Sequence, residues 1–580
     1  MQKDETTSLL DVLSKTRWTR KDDKIKVGVC LKSEWGEKYK ASWKRLGQIS
    51  PDYDEDDSER VWQSIDGKLM TNGTKVLESM AREDDPIGYR MHRARHIHPM
   101  VLENWDQKDR GLAVIAHHVM KHMLKKCGER DVYIFNEDEC RWIKGLERHA
   151  RIPMSYQLEG ALRDVMTYYS AKGASDQLDE KQLQVRERIA YVQRTSGMNN
   201  VITNLSDLIQ DDTFEQNLDS TPHLIGVKNG VVDLRSGKLR KRMPEDMIFS
   251  LCDVEYDECL DTSLISDTVL AAMADDESMA DFLQMLLGYG ITGEICEEVF
   301  VIFTGTGRNC KGVITQLLQK LMGGLFVDMN PATICERQVS NIDAEKGKLL
   351  GARIALFSEL APGEKLKASE VQLLSGGDTI PARPLYHKPM TIVPRHMCIL
   401  STNHLPEINP VLPAIVERIL CVDFPVTFTD LLPGEEPSRF RRQADKTLKE
   451  RLEANKSSVF TWLVQGAKKW YAAGKGSLKR LAPASVKEAG RQYFFEQDRL
   501  AQFLQERCVI ATESKVATKV FLAAYNQWND DGRACTSKEM AKTMKLKGFE
   551  KKVSKIEGVS TNSYIGVDVL PLPLMIDDQV

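Results

Sequence analysis

Eight consecutive residues carry the sharpest chemical signal in this chain. The run Gly305-Thr306-Gly307-Arg308-Asn309-Cys310-Lys311-Gly312 joins small, turn-permissive residues to a lysine. Backbone N–H groups of such a loop can curl round phosphate oxygens, the next helix adds positive field from its N-terminus, and Lys311 can reach the terminal phosphates. Two fixed places of the pattern GxxxxGK[ST] are filled differently. Cys310 replaces the glycine before the lysine, and Gly312 replaces the hydroxyl residue that normally binds Mg²⁺. Alone, the loop reads equally as a phosphate cradle or as a strand–turn–helix with an exposed lysine. A thiol beside a lysine at a helix start is expected to have a lowered pKa.

Two further carboxylate and amide positions give the loop a context. In ARIALFSEL the run Ile354 to Ser358 leads to Glu359, and a buried strand ending in a carboxylate is where an NTPase places its magnesium-binding, water-polarising acid. In HMCILSTNHLPEI the run Met397 to Leu400 ends in Ser401-Thr402-Asn403, where an amide can sense a γ-phosphate and orient the attacking water.

These residues need elements to position them. Val299 to Phe303 reads as a buried strand before the loop, and Val313, Leu317 and Leu321 fall on one face of a helix after it. Between about 279 and 425 strands and helices alternate, as in an α/β nucleotide-binding core. Upstream, 110–275 reads as mainly helical until PHLIGVKNGVVDLRSGKLRKRMPED, where Asn229-Gly230 marks a hairpin and Ser236-Gly237 a second turn. Arg235, Lys238, Arg240, Lys241 and Arg242 beside it read either as a phosphate contact or as a solvated charged turn. Trp35, Trp43 and Trp62 in the first hundred residues fit a small helical core better than base-stacking positions. After 440 the chain is helical, with Val459, Leu463, Ala467 and Trp470 at helical spacing. Beyond GKGSLKRLAP the last hundred residues read as a small separate domain, with amphipathic helices over Arg499–Trp528 and extended chain in SYIGVDVLPLPL.

Composition bounds the rest. The chain has 580 residues, 42% of them hydrophobic, and a formal net charge of -4, which excludes a wholesale basic nucleic-acid coat but not a locally basic channel. Twelve cysteines without a CxxC pair give neither a zinc knuckle nor a disulfide framework. With no signal peptide pattern and no run of eighteen apolar residues, the expectation is a soluble intracellular protein without a membrane partner.

Taken in order, HLIGVKNGVVDLRSGKL, GTGRNCKG, ARIALFSEL, LLSGGDTIPARPLYHKP, CILSTNHLPEI and AIVERILCVDFP resemble the superfamily 3 helicases of poxvirus, large-DNA-virus and phage primase-helicases. The resemblance implies an AAA+-type α/β P-loop motor over 279–430. It also implies a primase C-terminal-like helper domain over 8–95 and a mainly helical collar over 110–275; the residue pattern beyond the motor adds a helical segment over 440–480 and a small domain over 485–575 that a winged helix would fit. With the helper segment starting at residue 8, a helicase lacking the primer-making half is expected.

The resemblance further implies ATP and Mg²⁺ as cofactors. Gly305, Thr306, Gly307, Arg308, Asn309, Cys310, Lys311, Gly312 and Val313 would form the nucleotide loop. Glu359 would be the Walker B acid and metal residue, Asn403 the first sensor, and Arg418 a finger reaching a neighbouring subunit. His387 and Lys388 would tip a hairpin that grips single-stranded or forked DNA, following phosphates without reading sequence. A homo-hexameric ring moving 3′ to 5′, with a separate primase or polymerase as partner, completes the expectation. The rival readings are an AAA+ loader or remodeller that does not unwind, and a non-catalytic origin-binding scaffold.

Overall fold

In the computed structural model, the described residues are 6 and 9–570, apart from 66–72, 95–98, 122, 130, 137, 172–175, 338–340, 361–362, 384–388, 409–410, 412, 433, 530–533 and 557. The chain divides into two compact units, one of residues 1–220, 229–231 and 240–250, the other of 221–228, 232–239 and 251–580.

The first unit is mainly helical. Its early helices close round Trp18, Trp43 and Trp62, each buried, with the Trp43 and Trp62 rings 5.2 Å apart. The tryptophans are therefore core, consistent with their helical spacing. Later, Glu147–Ser170, Asp176–Val192 and Thr195–Leu205 pack with Asp109–Met120 round Leu158, Leu162 and Val201. A three-stranded antiparallel sheet, Leu124–Cys127, Asp131–Asn136 and Arg141–Leu146, interrupts the helices where the sequence reads as helical throughout. Its middle strand is apolar from Val132 to Phe135, but a run of four flanked by charged strands does not distinguish a strand from a helix. Arg242, one of the five clustered cations, is buried here and donates to the carbonyls of Glu139, Cys140 and Gly230. Arg240 is likewise paired, with Asp246 at 2.6 Å, so neither is free for a phosphate.

The second unit is built on a five-stranded parallel sheet: β1 (Phe300–Thr304), β2 (Phe326–Met329), β3 (Ile354–Ser358), β4 (Met397–Ser401) and β5 (Ile419–Asp423), in the order β5-β1-β4-β3-β2. β1, β3, β4 and β5 are each buried over four consecutive residues, as strands covered on both faces must be. One face, with Val301, Phe303, Leu356 and Ile399, packs on helices α1 (Glu277–Gly290), α2 (Lys311–Met322) and α3 (Lys456–Ala473). The other, with Ile302, Phe357 and Leu400, packs on Val371, Leu374 and Tyr493. α1 and α3 approach closely because both carry glycine at the crossing. A Cβ on Gly288 would sit 2.2 Å from the Ala467 nitrogen, and one on Gly466 2.1 Å from the Gln284 carbonyl oxygen.

The C-terminal part of this unit runs helix Arg499–Arg507, strand Cys508–Ala517, helices Thr518–Trp528 and Ser537–Leu546, then strands Lys551–Ile556 and Val559–Val569. The last strand lies between the other two. The middle of Arg499–Trp528 is thus a strand where the sequence reads as helix, because Cys508–Ala517 is almost wholly exposed and shows no apolar alternation. Among the described residues, no helix is long and apolar enough to cross a membrane.

Candidate functional site: a phosphate-loop cavity

The loop between β1 and α2 is held open by backbone geometry. Gly305, Gly307, Arg308 and Cys310 have φ of 144°, 95°, 51° and 69°, all in the region that favours glycine. Such turns aim successive N–H groups to one side. Gly305 is also sterically required, since a Cβ there would meet the Asn309 Nδ2 at 2.0 Å and the Phe424 carbonyl oxygen at 2.7 Å. The segment after β5 clamps the loop from outside. Phe424 N donates to Thr304 O at 3.0 Å, Phe428 N to Arg308 O at 2.8 Å, and the Thr306 and Thr427 hydroxyls lie 3.2 Å apart.

Lys311 is not an exposed lysine. It is 5% exposed, and its Nζ donates to Gly305 O at 2.9 Å, Thr402 O at 2.9 Å and Asn403 Oδ1 at 3.0 Å. Burial lowers the pKa of its ammonium, and the Asp423 carboxylate partly opposes that. The lysine therefore ties the β1 loop to the end of β4. Glu359, one residue beyond β3, has a left-handed φ of 53° and donates its N–H to Ser401 O at 3.0 Å, which fixes the acid against the end of β4.

These groups face one cavity of about 760 Å³. Gly307 to Val313, Glu359, Thr402 and Asn403 line it, so three strands that neighbour in the sheet deliver a cation, a carboxylate and an amide to one place. Gly305 and Thr306 shape the loop from behind without lining the cavity.

One expectation is revised here. The Cys310 thiol packs against the apolar cluster of the sheet, and burial pushes its pKa up to about 11, outweighing the helix terminus. Its positive φ also explains why glycine suits that place. Arg418 lies at the opposite edge of the sheet. Its carbonyl accepts from Phe300 N at 2.8 Å and its guanidinium pairs with Glu298 at 2.6 Å. A five-residue strand, ~16 Å, separates it from the loop of its own chain. Lys311, Glu359 and Asn403 are brought together; Arg418 is not.

His387 and Lys388 lie outside the described residues. The stem beneath them is an antiparallel pair, Ile380–Ala382 with Met390–Ile392.

The cavity's other wall had no signal in sequence. Leu264, Asp267, Thr268 and Ala271 come from helix Ser263–Ala272, and Phe428, Gln443, Lys449 and Arg451 from beyond β5. Arg451 is held by Asp445 at 2.8 Å. They are scattered over nearly two hundred residues and have no fixed spacing to the loop. Among the described residues no group of three or more His, Cys, Asp or Glu could hold a metal by itself; the carboxylates lining the cavity are Asp267, Glu359 and Asp445, the last already paired with Arg451.

A second basic surface lies far from the cavity in sequence. Between 537 and 556 the chain carries Lys538, Lys542, Lys545, Lys547, Lys551, Lys552 and Lys555 against Glu539 and Glu550, in a protein of net charge -4. Lys547 pairs with Asp498 and Lys552 with Glu550; the other five make no ion pair with any described residue.

Residues 94–274 match the D5 N terminal like family and residues 6–78 the Primase C terminal 2 (PriCT-2) family. The chain is 26% identical over 427 residues to "Putative helicase L207/L206" of Acanthamoeba polyphaga mimivirus, covering 70% of this chain and 43% of that protein. It is 22% identical over 621 residues to "Putative helicase 022R" of Frog virus 3, covering 87% of this chain and 62% of the relative. "Putative primase C962R" of African swine fever virus is 22% identical over 416 residues, covering 69% of this chain and 41% of the relative. The chain thus spans less than two thirds of each of these relatives. A solved structure of the NrS-1 C-terminal region aligns loosely, with a TM-score of 0.34 and 12% identity over 52% of this chain and 75% of that one. The chain therefore carries matches to the D5 N terminal like and PriCT-2 domains and is similar to proteins of large DNA viruses named putative helicases and putative primases.

Proposed function

We propose that the chain is an ATP-dependent DNA helicase motor with a superfamily 3, AAA+-type P-loop core, working as a homo-hexameric ring on single-stranded or forked DNA in viral DNA replication. One observation carries this reading: Lys311, Glu359 and Asn403, from the ends of adjacent parallel strands, line a single cavity beneath a glycine-bearing loop. The loop's N–H groups and Lys311 would hold the phosphates, with Lys311 exchanging its present acceptors for phosphate oxygens. Glu359 would accept a proton from the attacking water, and Asn403 would orient that water. A bound Mg²⁺ ion would offset phosphate charge, with Glu359 as the chain's carboxylate toward it.

Arg418, at the far edge of the sheet, cannot serve its own cavity and suits one on a neighbouring subunit. A cation there would stabilise charge developing on the transferred phosphoryl group. DNA contacts are assigned to His387 and Lys388 at the hairpin tip and to the lysines of 537–556, which can neutralise phosphates. ATP hydrolysis measured with and without single-stranded DNA, beside unwinding of a forked duplex, tests the proposal. DNA-stimulated hydrolysis without unwinding would favour a loader or remodeller. Absence of nucleotide binding would leave the scaffold reading.

A further inference from the structure

The phosphate loop lacks the hydroxyl that usually follows its lysine, and no side chain fills the space left. A Cβ built on Gly312 meets no atom within 4 Å. Mg²⁺ demands a near-octahedral set of oxygens, commonly filled by phosphates, waters and one or two protein groups. Glu359 is one such group in this cavity, and another oxygen is needed where position 312 offers none.

Most hydroxyls nearby are already committed. Thr402 Oγ1 donates to His404 O at 2.8 Å, and Thr268 Oγ1 to Leu264 O at 2.7 Å. Asn403 Oδ1 accepts from Lys311. Ser401 lines the same cavity, is half-buried, and its Oγ makes no hydrogen bond with any described residue. Its direction follows from strand register. Ser401 is paired with Phe303 on β1 and with Ser358 on β3, and register partners in a parallel sheet point to one face. Phe303 packs in the cluster that contains Ile314 and Leu317 of α2. Ser401 therefore presents its hydroxyl on the α2 side of the sheet, at the edge where α2 begins with Lys311 and Gly312. Its carbonyl accepts the Glu359 N–H at 3.0 Å, so the hydroxyl and the acid are set as a pair.

We infer that Ser401 supplies the hydroxyl that Gly312 lacks and holds the nucleotide-bound Mg²⁺ through the ion's water shell. This rests on the nucleotide reading of the cavity, and the test separates the two. Mn²⁺ is titrated into the full chain with a non-hydrolysable ATP analogue, following the free-ion paramagnetic resonance signal, and analogue binding is measured separately in EDTA. Ser401→Ala should weaken Mn²⁺ binding by about tenfold or more relative to metal-free analogue binding, the range for lost hydrogen-bond partners of a metal's shell. Gly312→Ser in the Ser401→Ala background should restore it, because the added Cβ has open space. Unchanged Mn²⁺ affinity in Ser401→Ala, no restoration by Gly312→Ser, or a loss that follows Asp267→Asn instead would overturn the assignment. If the wild-type chain does not bind the analogue even without metal, the nucleotide reading itself falls, and this inference with it.

Discussion

His396 opens β4, the strand that ends in the amide-bearing turn, and its ring is 3% exposed with neither nitrogen completing a hydrogen bond among the described residues. Burial lowers its pKa from 6.5 to about 4, and the Leu374 backbone offsets only part of that. The folded chain therefore strongly prefers the neutral ring. A group whose folded pKa is depressed contributes stability fully above the unfolded pKa and loses it as pH falls toward the folded value. The window is thus from about pH 6.5 down to about pH 4. A fall from 6.5 to about 4, at ~1.36 kcal/mol per tenfold change in proton affinity, is worth roughly 3 kcal/mol across the window, most of it lost by pH 4.5. Leu is close to His in volume and removes both the titration and two unpaired ring nitrogens. His396→Leu should therefore match or exceed the wild type at pH 7.5, and its advantage should grow by about 2–3 kcal/mol at pH 4.5. Hydrogen exchange of the amides of Met397–Ser401 measures this locally, free of carboxylates titrating elsewhere in so large a chain. An advantage that changes by less than about 1 kcal/mol between the two pH values would refute the reasoning, because a ring that can be protonated at no cost cannot be buried and unpartnered.

Glu359→Gln should keep ATP binding but lose hydrolysis by at least about a hundredfold; single-turnover rates within about threefold of wild type, below ~0.7 kcal/mol, would remove Glu359 from the chemistry. Maleimide at pH 7.5 should modify exposed Cys259 well before Cys310, whose thiol is half-buried and raised to about 11, and peptide mapping that finds Cys310 labelled first would contradict its placement. Gly466→Ala should destabilise the second unit by about 1–3 kcal/mol through overpacking against the Gln284 carbonyl, read as a lower denaturation midpoint, whereas a half-buried control, Gly490→Ala, where a Cβ meets nothing within 4 Å, should not. Replacing Lys542 and Lys545 by Ala should weaken DNA binding and flatten its salt dependence by about one counterion per lysine, while DNA-free ATPase is retained; an unchanged salt slope would exclude that surface.

The elements that could be read along the chain are those whose signal is local. β1, β3 and β4 are short apolar runs because both faces of the sheet are covered, and Asn229-Gly230 sits between strands Leu224–Val227 and Gly230–Asp233 because a tight hairpin needs those residues. The sheet at 124–146 and the strand Cys508–Ala517 are not legible, the first because its one apolar strand, 132–135, lies between two charged ones, the second because its apolar residues sit at its two ends with Thr512-Glu513-Ser514-Lys515 between them, so neither shows an apolar period. The far wall of the cavity is hidden for another reason. Helix Ser263–Ala272 and Lys449–Arg451 reach the loop from distant parts of the chain, and helix Ser263–Ala272 packs on α1 and α3, whose crossing needs Gly288 and Gly466, two glycines that look unremarkable in separate helices.

Cys310 shows how chain neighbours and spatial neighbours can give opposite predictions. Along the chain its surroundings are a lysine and a helix start, both of which favour a thiolate. In space, the left-handed turn at residue 310 swings the sulfur toward the apolar cluster under the sheet, and Lys311 directs its ammonium instead to Gly305, Thr402 and Asn403. The lysine next in sequence is thus spent on other acceptors, and desolvation is left as the dominant influence on the thiol. The turn bears on only one of the loop's two departures: a left-handed residue costs a side-chain-bearing amino acid about 1–2 kcal/mol, so glycine would be easiest at 310, where cysteine stands. Position 312 has helical backbone and open space, so nothing steric demands glycine there. The missing hydroxyl at 312 is therefore a matter of chemistry rather than packing, and its replacement has to be sought among oxygens that reach the cavity from another strand.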